Sequence, residues 1–108
     1  VLDEWYVGDF MAAEYTIVVD AGNFRKEVLK AIVVAGPDTA SVNVIGRTTL
    51  NENLIDLTAS VNDSKVQLII HPANSPSDST YDNSTILTGA KVIFSATYYH
   101  TINELVSY

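Results

Sequence analysis

Ala13-Glu14-Tyr15-Thr16-Ile17-Val18-Val19-Asp20 decides the fold. Successive side chains of a strand face opposite sides, so Ala13, Tyr15, Ile17 and Val19 share one face while Glu14, Thr16 and Asp20 share the other. That is the pattern of a strand with one face on a core and one in water. A helix would need its apolar residues three and four apart. Ala21-Gly22-Asn23 follows as a hairpin connection, because Gly and Asn tolerate the positive φ of tight turns.

Working outward, the same alternation recurs between clusters of Gly, Pro, Asn, Asp and Ser. Residues 2–7 form an opening strand, ended by the Gly8-Asp9 turn. A strand over 25–35 places Val28 beside Lys26 and Lys30 and then runs into Ala31-Ile32-Val33-Val34-Ala35, apolar on both faces. Such a stretch lies centrally in a sheet or against a neighbouring chain. A helix over 24–32 competes for this segment, and Gly36-Pro37-Asp38 ends either one.

Residues 41–48 and 53–61 are strands with one wet face, the second carrying Ile55, Leu57, Ala59 and Val61 on its dry side. Asn62-Asp63-Ser64 turns the chain into a strand over 65–71, with Val66, Leu68 and Ile70 together. Residues 72–88 form an exposed loop rich in Ser, Asp and Pro. A final strand over 89–101 sets Ala90, Val92, Phe94, Ala96 and Tyr98 on one face and Ile93 and Tyr99 on the other. Residues 103–108 make a tail that adds an edge strand, docks on a neighbour or frays. The expectation is one domain over 1–108: a single antiparallel β-sandwich of about six to eight strands.

Composition narrows the function. Hydrophobic residues at 47% and charged residues at 18% place the chain among globular proteins rather than disordered ones. A net charge of -7 repels phosphate backbones, so nucleic acid is not an expected partner. The apolar run at residues 31–35 falls far short of the ~20 residues that cross a bilayer, and the acidic, aromatic opening lacks the basic region of a signal peptide. With no cysteine, disulfides and thiolate metal sites are excluded.

Chemistry-bearing residues are sparse. His71 and His100 are the two histidines, and neither has a third metal ligand at a recognisable spacing. A hydrolase would require both to converge with carboxylates such as Asp78 or Asp82. The segment Asp78-Ser79-Thr80-Tyr81-Asp82-Asn83-Ser84 offers oxygen ligands but not the EF-hand order. No Gly-x-Ser-x-Gly elbow or phosphate-binding glycine loop is present, and no cofactor is expected. Trp5, Tyr6, Phe10, Tyr15, Tyr98, Tyr99 and Tyr108 are either core bulk or a platform for sugar or protein.

The spaced frame resembles the small β-sandwich modules of virion structural proteins in tailed bacteriophages, of the marine and cyanophage type. It consists of Leu2-Asp3-Glu4-Trp5, then Phe10-Met11-Ala12-Ala13-Glu14-Tyr15-Thr16-Ile17-Val18-Val19, Glu27-Val28-Leu29, the strand from Leu54 to Val61 with the turn Asn62-Asp63-Ser64, Val66-Gln67-Leu68-Ile69-Ile70-His71-Pro72 and Lys91-Val92-Ile93-Phe94-Ser95-Ala96-Thr97-Tyr98. The chain departs from that pattern in the apolar run 31–35 and in the long loop after Pro72. The resemblance implies a non-enzymatic role in the virion, in a fibre, neck, tail or baseplate, with other virion proteins as partners and a homo-oligomeric assembly. Candidate interface residues are Ile32, Val34, Ile93, Tyr99, Leu105 and Tyr108, with the terminal strands as pairing edges. Recognition of a host-surface glycan through the Ser/Asp loop and nearby tyrosines is the alternative.

Overall fold

The computed structural model describes residues 1–73 and 89–100. Among them run seven strands: β1 (Asp3–Tyr6), β2 (Phe10–Asp20), β3 (Lys26–Ala35), β4 (Ala40–Thr49), β5 (Ile55–Asn62), β6 (Lys65–Pro72) and β7 (Lys91–His100). They form two antiparallel sheets, one ordered β1-β6-β5 and the other β4-β3-β2-β7, packed face to face as a β-sandwich.

The deciding segment behaves as its alternation demands. Ala13, Tyr15, Ile17 and Val19 are fully buried, while Glu14, Thr16 and Asp20 lie on the opposite face of β2. The competing helix over 24–32 does not form. β-branched Val28, Ile32, Val33 and Val34 suit a pleated surface, and β3 pairs along its whole length, with β2 on one side and β4 on the other. Its odd-numbered side chains Leu29, Ala31 and Val33 enter the core, and Val28, Ile32 and Val34 face outward.

Turn chemistry closes each hairpin. At the β2–β3 turn Gly22 takes φ 125°, and its N–H donates to Asp20 Oδ1 at 3.1 Å. Asp63 and Ser64 link β5 to β6 with φ of 53° and 64°, the paired left-handed conformation that matches the twist of two-residue hairpins. Gly36 N–H donates to Thr39 O at 2.8 Å and reverses the chain from β3 to β4.

The core lies between the sheets. Tyr15, Ile17, Val19, Leu29 and Val33 from the four-stranded sheet meet Leu54, Ile55, Val66 and Leu68, each contributing on the order of 1.5 to 3 kcal/mol by leaving water. Trp5 packs edge-on against Phe10 and Tyr98, at centroid distances of 5.9 and 6.4 Å, and Phe10 stacks on Tyr98 at 4.8 Å. Trp5, Phe10, Tyr15 and Tyr98 are thus core bulk, whereas Tyr6 and Tyr99 are exposed, as are Phe24 and Phe94.

Two polar devices tie the sheets together. Tyr15 Oη donates to Asp3 Oδ2 at 2.8 Å, Tyr98 Oη donates to the same oxygen at 2.5 Å, and Trp5 Nε1 donates to Tyr15 Oη at 3.2 Å. Asp3 on β1 thus holds β2 and β7 of the opposite sheet. Burial and the neighbouring carboxylate both favour the neutral phenols: the Tyr98 hydroxyl is pushed up to about 12, and that of Tyr15 is raised further.

The second device is Glu27, 1% exposed on the inner face of β3. Its Oε1 accepts the N–H groups of Leu54 at 3.1 Å and Ile55 at 3.2 Å, and its Oε2 lies 2.9 Å from Arg47 Nη1. Arg47 on β4 also donates to Ile55 O at 3.0 Å. The crossover from β4 to β5 is therefore pinned through its own backbone groups.

Candidate functional site

The outward face of the four-stranded sheet is the most distinctive surface of the described residues. Pairing registers arrange it in rows across β4, β3, β2 and β7. One row is Thr48, Val28, Val18 and Ile93; the next is Gly46, Lys30, Thr16 and Ser95. Beyond these come Asn43, Ile32, Glu14 and Thr97, and then Ser41, Val34, Ala12 and Tyr99.

Alternation makes this face unavoidable. The residues between these positions on β2 and β3 fill the core, so every second residue must point away from it. On an ordinary solvated face those positions would be polar. Here Val28, Ile32 and Val34 on β3 and Ile93 and Tyr99 on β7 are all exposed, Ile93 at 64% and Val34 at 57%. Lys30 and Glu14 are interspersed among them, and Tyr99 Oη donates to Glu14 Oε2 at 3.4 Å. Large apolar groups rimmed by polar ones are the signature of a surface that contacts another macromolecule.

The structure brings four of the six candidate interface residues onto this one face: Ile32, Val34, Ile93 and Tyr99. Leu105 and Tyr108 lie outside the described residues, as does nearly all of the Ser/Asp loop at 72–88 with Asp78 and Asp82. Val28 belongs to the face and was missing from the candidates. Its parity with Ile32 and Val34 was the available signal, obscured by its two lysine neighbours.

The histidines do not meet. His71 is exposed near the end of β6 that pairs with the start of β5, within 2.9 Å of Thr58 Oγ1 on the outside of the three-stranded sheet. His100 packs its ring edge-on against Phe10 at 4.8 Å, at the far end of β7 in the other sheet. Among the described residues no cluster of three or more His, Asp or Glu could hold a metal ion.

One open depression of about 300 Å³ is lined by Glu4, Trp5, Tyr6, Asp9 and Lys65. Lys65 already lies over the Tyr6 ring, with Nζ 5.3 Å from its centroid and 3.7 Å from Glu4 Oε1. Lys65 thus makes a cation–π contact with Tyr6, whose ring stays exposed.

The buried carboxylates were also legible only in part. Glu27 shares parity with Leu29, Ala31 and Val33, which places it on the core side of β3; its partner Arg47 sits past the bulge at Ile45, which resets the alternation of β4. Comparison with known protein families, with curated proteins and with solved structures returns no match to this chain.

Proposed function

We propose that the chain is a non-enzymatic structural module that joins protein chains, assembling with copies of itself through the outward face of its four-stranded sheet. The single observation that carries this reading is the exposure of Val28, Ile32, Val34, Ile93 and Tyr99 together on that face. The setting proposed is the one its strand frame resembles, the virion of a tailed phage, where a rigid sandwich repeats by symmetry and meets other virion proteins.

Rigidity supports the reading. Both polar pins, Asp3 with its tyrosines and the Glu27–Arg47 pair with the backbone of Leu54 and Ile55, lock one sheet to the other, so the outer face is presented as a fixed surface. The test is the solution mass of the purified chain by light scattering across a wide concentration range. Discrete species heavier than the 11.8 kDa chain are expected. A mass of 11.8 kDa at every concentration would overturn the proposal.

A further inference from the structure

Every sheet edge presents unpaired N–H and C=O groups, and proteins that stay apart blunt those edges. Among the described residues, two of the four edge strands are blunted. β1 is four residues long, and β4 carries a bulge at Ile45 between the pairs Ala31–Val44 and Lys30–Gly46.

Among the described residues β7 is the longest edge strand with neither device, ten residues against eight for β5. It runs ten residues, Lys91–His100, without proline or glycine, and its partners on β2 follow in unbroken register from Asp20 to Ala12; the bulge between Phe10 and Ala12 belongs to β2. Its only basic residue besides the terminal His100 is Lys91, at the other end. Even its core-facing Val92 and Phe94 remain 36% exposed along the open flank.

We infer that β7 pairs antiparallel with β7 of a second copy across a two-fold axis at Ala96, fusing two four-stranded sheets into one of eight strands. This rests on the proposed self-assembly through the outward face and adds an edge contact beside it. A two-fold normal to the sheet requires residues on the same face to oppose each other, so the axis passes through a residue. With Ala96 on the axis, Ser95 faces Thr97, Phe94 faces Tyr98, Ile93 faces Tyr99 and Val92 faces His100 of the second copy. Hydroxyl meets hydroxyl, aromatic meets aromatic and a β-branched side chain meets an aromatic one, the cross-strand pairs that stabilise sheets. Lys91 opposes no other cation among residues 91–100. The outward apolar rows of the two copies become continuous through Ile93 and Tyr99.

The absence of native cysteine makes the test unambiguous. Ser95→Cys and Thr97→Cys are made singly, at exposed outward positions, mixed in equal amounts and oxidised mildly; Asn43→Cys, exposed on the opposite edge strand β4, is the control. The expected result is a disulfide-linked heterodimer in large excess over any dimer of Asn43→Cys. If the mixture cross-links no more than the control, the edge pairing is overturned. Light scattering of the unmodified chain then separates the two failures. A mass above that of one chain leaves the assembly reading standing on another surface, and a single-chain mass removes both.

Discussion

Glu27 and Arg47 meet at 2.9 Å between the sheets, the glutamate side chain entirely withdrawn from solvent. An ion pair in such a place gains from further hydrogen bonds to the carboxylate, here donated to Glu27 Oε1 by the N–H groups of Leu54 and Ile55. Removing the acid leaves a cation and two amides without their partner. Glu27→Ala is expected to cost about 3 to 5 kcal/mol in urea denaturation. Glu52→Ala, which breaks the exposed pair with Arg25, is expected to stay within about 1 kcal/mol.

The Asp3 cluster makes a prediction in pH. Tyr98 and Tyr15 hold their protons more tightly folded than unfolded, where a phenol ionises near 10. The stability they contribute is therefore fully present below pH 10 and is lost as pH rises through about 12, where Tyr98 ionises. Both are expected to ionise above the ordinary phenol value, read by tyrosinate absorbance against pH, and Asp3→Asn is expected to shift both downward.

The β5–β6 hairpin holds Asp63 and Ser64 at positive φ, a conformation that Asp tolerates much as Asn does but that costs Ser roughly 1 kcal/mol relative to Gly. Asp63→Asn with Ser64→Gly is expected to raise the melting temperature by a few degrees. Gly22→Ala, at φ 125°, is expected to lower it. Differential scanning calorimetry of the two variants checks both signs.

How much of this was written in the sequence follows from the period of a strand. Where alternation was clean, as from Ala13 to Asp20 and from Ile55 to Val61, strand, face and core residues were all readable. The run Ala31-Ile32-Val33-Val34-Ala35 was readable as a central strand because both of its faces are apolar, yet that same feature hid which face met the core. Sheet order was not readable. Local patterning cannot say that β1 pairs with β6, more than fifty residues away, or that β4 hands the chain across to β5. The Glu27–Arg47 pair shows the other limit: a charge in an alternating strand reads as solvent-facing unless its parity is counted, and the bulge at Ile45 shifts the count for its partner.

The outward face is the centre of the account, and two substitutions on it separate assembly from folding. Ile32→Lys sets a lysine opposite Glu14, and Val34→Lys sets one between Ala12 and Ser41, so neither disturbs the core. Sedimentation equilibrium of the double variant and the unmodified chain, at matched concentrations, is the most direct measurement. The account predicts a lower mass for the variant with an unfolding free energy within about 1 kcal/mol of the parent; equal masses at every concentration would contradict it.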